Sequence, residues 1–263
     1  MTRVILAGAT GWAGAALARG LAATDDLELV GAVGRKDAGR ALGAVLGEPR
    51  LQCTIVASAA EALAARCDVF VEYTRPEAAK ANALAALAAG AHVVIGTSGL
   101  GDDDYAELDR AARPAGRAVL AVGNFAITVV LLQRFAEIAA RYLPDVELVD
   151  YAKATKPDAP SGTVRELAHR LGAVRGARPI APSVGVPETR GGVVAGVPVH
   201  AVRLPGFVIG VEAIFGLPDQ RLHLRHESGA SATPYVDGAL LAIRKVHTLA
   251  PGVHRGLDRV MDW

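Results

Sequence analysis

The sequence predicts an α/β protein: a Rossmann-type doubly wound parallel sheet, followed by a second α+β domain with a mixed or antiparallel sheet. Three observations carry that prediction. Short apolar runs alternate with alanine-rich stretches through the first half. A glycine turn, "GATGWAG", directly follows the first run. Beyond about residue 125, apolar runs succeed one another with no helix between them.

The runs "RVILAG" (3–8), "ELVGAV" (28–33), "DVFVEY" (68–73), "HVVIG" (92–96) and "RAVLAV" (117–122) each read as a buried strand, bounded by glycine or charge. Strands apolar on both faces and separated by helices imply a parallel sheet covered on either side. The clearest helix is "PEAAKANALAALAAG" (76–90), where Pro76 suits the first turn and Gly90 the C-terminal cap. Past residue 125, a helix over about 127–142 leads to the strand "DVELVDYA" and the loop "KPDAPSGT". A helix follows with Val164, Leu167, Ala168 and Leu171 on one face. The glycine- and proline-rich stretch 172–198 reads as a long loop. Then "VPVHAVRL", "GFVIGVEAIFG" and "DQRLHLRHE" read as successive strands. The last sets Leu222 and Leu224 against Arg221, His223 and Arg225, which predicts one covered and one wet face. A helix over 232–247 is expected to return to the first domain. The division is therefore 1–125 with 235–263 for a dinucleotide-binding domain, and 126–234 for the second.

At 263 residues and 51% apolar, the chain can bury a core for two domains. A net charge of +1 without a basic stripe argues against nucleic acid or an acidic membrane surface as partner. Cys53 and Cys67 are too few and too badly spaced for a metal knuckle or disulfide framework, and no histidine pair has metal-ligand spacing, so no metal site is expected. No run reaches the ~18 apolar residues of a membrane span. "MTRVILAGATG" enters a strand with no charged-then-apolar leader. A cytoplasmic protein is the expectation.

Gly8, Gly11 and Gly14 stand in a GxxGxxG spacing between a strand and a helix. Glycine lets the backbone approach a pyrophosphate, and the helix start offers free N–H groups and a positive dipole. A tight strand-to-helix turn without a ligand would look the same from the motif alone; its position favours a dinucleotide. At the end of the second strand, "AVGRKD" has Gly34 where a ribose-binding acid would stand, followed by Arg35 and Lys36. Two cations suit a 2′-phosphate, so NADPH is favoured and NADH remains possible, with Asp37 supplying a carboxylate if the turn shifts. "GTSG" (96–99) and "VGNF" (122–125) follow later strands, where ligands of open parallel sheets bind. Thr97, Ser98 and Asn124 are candidates for nicotinamide or ribose contacts, against ordinary turn chemistry.

In "KPDAPSGT", two prolines stiffen the backbone and Ser161, Gly162 and Thr163 open a helix. Their N–H groups and hydroxyls would gather on a carboxylate, with Lys156 as counter-charge. A proline-stiffened cap beside a surface lysine is the plainer alternative.

The pieces GxxGxxG at 8–14, "DVFVEYTRPE" at 68–77, "VIGTSG" at 94–99, "NF" at 124–125 and "KPDAPSGT" at 156–163 occur in the order found in one family. From residue 2 to roughly 250 the chain resembles the 4-hydroxy-tetrahydrodipicolinate reductases, formerly dihydrodipicolinate reductases. The resemblance implies an NAD(P)H-dependent reductase of a small carboxylated cyclic imine, on the way to diaminopimelate and lysine. It also implies a homotetramer built by a second domain that binds substrate. Under it, Gly8, Ala9, Thr10, Gly11, Trp12, Ala13 and Gly14 hold the pyrophosphate, and Arg35 with Lys36 the 2′-phosphate. Gly96, Thr97, Ser98, Val122, Gly123, Asn124 and Phe125 line the nicotinamide pocket, and Thr74 is a further cofactor-binding candidate. Lys156 is the implied catalytic lysine, and Gly162 and Thr163 bind a substrate carboxylate beside Ser161.

One departure stands out. Before that lysine the family carries a histidine-rich stretch that includes a proton donor and a substrate contact. Here the positions are Ala152, Lys153, Ala154 and Thr155, so Lys153 replaces the substrate-contacting histidine. General acid catalysis is typically worth ~100- to 10,000-fold, so its loss predicts a slower enzyme rather than none. Three functions stay open: the family reaction with another proton donor, reduction of a different amino-acid-derived imine, or a catalytically silent dinucleotide-binding protein. His169, His200, His223 and His226 are read as structural or solvated.

Overall fold

The computed structural model describes residues 1–176 and 184–263. The chain divides into two compact units, Met1–Ile127 with Ala232–Trp263, and Thr128–Ser231.

The first unit alternates strand and helix: β1 (Thr2–Ala7), α1 (Trp12–Ala22), β2 (Leu27–Val33), α2 (Leu42–Leu46), β3 (Ile55–Val56), α3 (Ala59–Ala62), β4 (Val69–Glu72), α4 (Pro76–Ala88), β5 (His92–Ile95), α5 (Asp102–Ala115) and β6 (Ala118–Ala121). All five predicted apolar runs are strands. A two-residue strand, β3, is an addition that periodicity could not register. The helix at 76–90 ends slightly short, with Gly90 in a left-handed conformation after its last turn. Lys80 on α4 pairs with Asp104 (2.9 Å) and Glu107 (3.0 Å), tying α4 to α5. The core beneath these helices gathers Ile5, Phe70, Val93 and Val119 from four strands, all fully buried.

α6 (Ile127–Ala140) then leads into the second unit, with β7 (Asp145–Ala152), α7 (Gly162–Arg175), β8 (Gly192–Val194), β9 (Val197–Arg203), β10 (Ile209–Leu217) and β11 (Gln220–Ser228). The chain re-enters the first unit as α8 (Val236–Lys245) and β12 (Gly252–Arg255). β12 joins the first sheet beside β6, so the order among the described residues is β12-β6-β5-β4-β1-β2-β3, every pair parallel. The order reverses between β1 and β4. That reversal opens a crevice beyond the carboxyl ends of the strands, where α/β sheets bind ligands.

The second sheet runs β11-β10-β7-β9-β8, mixed because β7 and β9 are parallel and the other pairs antiparallel. One face is packed: Val146, Leu148, Val199, Val211, Ala213 and Phe215 meet α6 and the Val164–Leu171 stripe of α7. The other face carries Glu147, Val149 and Tyr151 of β7, each partly exposed. Two expectations need correction. The stretch 172–198 is not wholly loop: α7 runs to Arg175, a 3₁₀ turn spans Pro187–Arg190 and β8 follows, while 177–183 lie outside the described residues. Leu222 lies on the packed side of β11 yet stays 39% exposed, because β11 is the edge strand and little covers its outer end.

His226, opposite Val211, is buried with its Nδ1 2.9 Å from the Thr128 hydroxyl. Burial pushes its pKa below the ordinary value of about 6.5. The unfolded chain therefore takes up the proton first as pH falls. Stability present above about pH 6.5 is lost on the way down through the depressed native value. His226→Gln should flatten that limb of the urea-midpoint-against-pH curve; an unaltered curve would remove His226 as its cause.

Candidate active site

The turn after β1 is tied down from inside. Gly8 and Ala9 donate their N–H groups to the Val33 carbonyl (2.9 and 3.3 Å), and Gly11 donates to Gly8 O (2.9 Å). α1 has no side-chain cap; the Gly11 carbonyl accepts only from Ala15 (2.8 Å). The N–H groups of Trp12, Ala13 and Gly14 are left without a partner among the described residues, as the first turn of any helix leaves them. A Cβ on Gly14 would overlap the Gly8 carbonyl oxygen, and one on Gly8, which has φ of 80°, would overlap the Tyr73 carbonyl. The turn can therefore lie flat against β1 and β4 and present bare backbone to an anion. These residues fit a pyrophosphate.

A cavity of about 530 Å³ opens over Gly8, Gly11 and Gly34. Arg35 and Lys36 line one side of it, and Thr74, Arg75 and Asn82 the other. Asp37 is drawn away: its carboxylate takes the Arg40 guanidinium at 2.7 Å. Among the described residues no acid lines this cavity, and Arg75, a cation not anticipated from sequence, is added to the two that were. The signal was present in "TRPE", a cation at the N-cap immediately before a helix-opening proline.

Beyond β4 and β5 lies a group that sequence reasoning overlooked. Glu72 is fully buried, with no ion-pair partner among the described residues. Its Oε1 accepts from the Thr74 N–H (2.6 Å), the Thr74 hydroxyl and the Thr97 hydroxyl (3.3 Å), while Oε2 accepts from the Asn82 amide (2.8 Å). Thr97 also reaches the Glu72 carbonyl (3.2 Å). Thr97 is thus held inward, whereas Ser98 is exposed. Gly96 is glycine because any side chain would collide with the Tyr73 and Phe125 rings, which pack with centroids 5.6 Å apart. Burial pushes the Tyr73 phenol upward, so it stays neutral, and its hydroxyl has no partner among the described residues. Val122 is buried and donates to Ile95 O (2.8 Å), Gly123 is exposed, and the Asn124 side-chain oxygen is used by the Ala126 N–H (2.9 Å). Trp12 stands 62% exposed, edge-on to Tyr235.

In the second unit the loop "KPDAPSGT" hangs on Asp150, which is 1% exposed. Asp150 accepts from the Ser161 N–H (2.7 Å), the Ser161 hydroxyl (2.9 Å) and Arg203 Nη2 (2.7 Å). Arg203 also donates to the carbonyls of Asp150 (3.0 Å) and Asp158 (2.7 Å), stitching β7, β9 and the loop together. Ser161 caps α7, yet both its donors are spent on Asp150. The donors left open are the N–H groups of Gly162 and Thr163 and the Thr163 hydroxyl, among the described residues. Lys156 is half-buried, its ammonium 2.6 Å from the Asp158 carboxylate, which it holds below the usual carboxylate range. Lys153 is exposed; its carbonyl accepts the Lys156 N–H (3.0 Å) in a tight turn.

The histidines of this unit are mostly engaged. His200 faces Glu147 (2.8 Å), His223 faces Glu212 (2.9 Å) and His226 faces Thr128, while His169 is solvent-exposed on α7 as expected. Ala152 is buried, so no side chain from that position reaches solvent. No metal-binding cluster occurs among the described residues. Burial pushes the Cys67 thiol up to about 12, an unreactive thiol.

A glycine turn at the switch point of a parallel sheet, in a chain whose second unit is a mixed sheet, fits the class of nucleotide-dependent oxidoreductases. The chain matches the family model "Dihydrodipicolinate reductase, N-terminus" over residues 2–125 and "Dihydrodipicolinate reductase, C-terminus" over 128–261. It belongs to the dihydrodipicolinate reductase family. It is 38% identical to the 4-hydroxy-tetrahydrodipicolinate reductase of Moorella thermoacetica, over 99% of this chain and 98% of that one. It is 36% identical to that of Beutenbergia cavernae, with the same coverage. Among solved structures, a dipicolinate-bound dihydrodipicolinate reductase from Paenisporosarcina sp. TG-14 superposes with a TM-score of 0.88 at 28% identity, covering 99% of this chain and 100% of that one.

If Asp150 holds the carboxylate turn, Asp150→Ala should destabilise the protein by about 3–5 kcal/mol, because it strands the mostly buried Arg203 charge. Asp150→Asn, which still accepts one bond, should cost clearly less. Urea unfolding of both variants checks the ordering.

Proposed function

We propose that the protein reduces the imine of the tetrahydrodipicolinate precursor, with NADPH as the preferred donor and NADH as a slower one. The observation that carries this reading is the Lys156–Thr163 turn, which offers free N–H groups and an ammonium to a carboxylate in a chain that belongs to this family along its whole length. A similar protein has been solved with dipicolinate bound, a planar dicarboxylate of the kind such a turn suits. The cofactor supplies hydride to the C=N carbon.

The chain's own groups do the rest. The Gly8–Gly14 turn and the start of α1 hold pyrophosphate, and Arg35 and Lys36 take the 2′-phosphate. Gly162 and Thr163 grip one substrate carboxylate through backbone N–H groups, with Ser161 acting behind them as the fastener. Lys156 must exchange Asp158 for substrate, neutralise the second charge and offer a proton toward the imine nitrogen. Lys153 takes the substrate-facing place of a histidine. With Ala152 buried, proton supply falls to Lys156, Lys153 or water. Positioning supplies most of the acceleration in such a transfer, so the reaction survives the missing acid at reduced rate.

A second reading, reduction of a different amino-acid-derived imine, is favoured by one specific observation: no histidine stands at 152–155. Loss of NADPH absorbance with the dipicolinate precursor decides between them, since turnover only on other imines would select the second. The open face of the second sheet, with Val149 and Tyr151 beside charged neighbours, suits self-association into the homotetramer of the family. No helix among the described residues is long and apolar enough to cross a membrane, and a cytoplasmic location accords with the biosynthetic role.

Lys156→Ala should lower kcat by about 100- to 10,000-fold with an unchanged melting temperature. Arg35→Ala should weaken NADPH binding by about tenfold and leave NADH within about twofold, since only the former carries the 2′-phosphate. Titrating both cofactors against the variant checks the second expectation.

A further inference from the structure

Glu72 is the one fully buried ionisable side chain of the first unit. It sits at the carboxyl end of β4, on the side of the switch point away from Arg35 and Lys36. A dinucleotide laid across that crevice with its 2′-phosphate at β2 has its nicotinamide half over β4 and β5. That half is where Glu72 fastens Thr97, near the packed Tyr73 and Phe125 rings, while its other partners, Thr74 and Asn82, line the cavity shared with Arg35 and Lys36.

The surroundings of the carboxyl group are those of an anion. The backbone N–H of Thr74 and the amide of Asn82 can only donate to it, and they occupy different oxygens. Two threonine hydroxyls add further donors. No cation forms an ion pair with it among the described residues, in contrast to Asp150, which pairs with Arg203; the nearest cations by lining are Arg35, Lys36 and Arg75 of the adjoining cavity. A buried, unpaired anion is costly to keep without a task.

We propose that Glu72 is a positioning residue whose fixed negative charge, held beneath the nicotinamide half of the crevice, favours the oxidised cofactor over the reduced one. Hydride donation moves an electron pair and a proton from the ring to the C=N carbon and leaves the ring with a formal positive charge. The imine nitrogen takes its proton separately, from a lysine or water. An anion in place before the reaction stabilises the charge that develops on the ring, without reorganisation. Thr74 and Thr97 are the fastenings that keep that anion aimed, and Asn82 closes its far oxygen.

This rests on the dinucleotide assignment above, and the test reads binding rather than turnover. Dissociation constants for NADP⁺ and NADPH are measured by calorimetry on the full chain and on three variants. Glu72→Gln keeps the shape and removes the charge; the ratio Kd(NADP⁺)/Kd(NADPH) should rise about tenfold or more, as a unit charge within about 12 Å gives in a medium of effective dielectric about 20. Asn82→Lys leaves Glu72 in place and neutralises it from the cavity side, so the ratio should move the same way. Any pull of the new ammonium on the phosphates affects both forms alike and cancels. Glu72→Asp retains the charge; its ratio should stay within about twofold of the original even where both affinities fall, which a purely structural role cannot distinguish from Gln. An unchanged ratio in either charge-neutralising variant that folds overturns the proposal. Failure of the unaltered protein to bind either dinucleotide would remove the assignment beneath it, and the proposal with it.

Discussion

Backbone N–H groups that a helix cannot use itself are the constraint on which this protein is built. α1 and α7 both begin where an extended segment ends, and both leave their first-turn donors unfilled. In one case glycine removes every side chain that could cover them. In the other a serine caps the helix but is turned inward onto Asp150. An anion is the natural partner of such a start, because the donors converge and the helix dipole adds a partial positive charge. The two units thus repeat one physical device, proposed above to hold a pyrophosphate in one and a carboxylate in the other.

The two buried carboxylates behind these sites differ in a telling way. Asp150 is matched by Arg203, so no unpaired carboxylate stands behind the turn it fastens. Lys156 is likewise occupied by Asp158. Under the proposed function, a substrate carboxylate would take the place of the Asp158 carboxylate on Lys156. Glu72 has no such match and is held by neutral donors alone. Neutralisation suits a place where an anion must arrive; an unmatched anion suits a place where positive charge will appear.

The segment Ala152–Thr155, where the family resemblance leads to an expectation of histidines, is a buried strand end followed by a tight turn. Ala152 is buried at the end of β7, and the turn from Lys153 to Lys156 sets the Lys156 ammonium against Asp158. What the substitution removes is a titratable donor, and the remaining strand histidines are bound to Glu147, Glu212 and Thr128. Family membership and an altered proton supply are compatible, since hydride transfer depends first on alignment.

Local pattern was enough to expose much of this. Continuous apolar runs located β1, β2, β4, β5 and β6, the stripe from Val164 to Leu171 located α7, and the spacing of Gly8, Gly11 and Gly14 announced the anion turn. Each is a property of neighbours in the chain: period, composition, or a backbone that only glycine tolerates. The short strands β3, β8 and β12 carry too few residues to show a period. Glu72, Asp150, Arg203 and Arg75 went unread for a different reason. Their meaning lies in partners 2 to 53 residues away, such as Thr74 at 2, Asn82 at 10 and Arg203 at 53. A single letter does not reveal whether a carboxylate meets a guanidinium, a ring of hydroxyls or water. By itself the sequence determined most of the elements, the family and the two helix starts proposed to bind anions, because these follow from local backbone chemistry. Only the tertiary structure decided which charges are buried, which are cancelled, and which donors remain open, because burial and pairing are set by residues that the fold alone brings together.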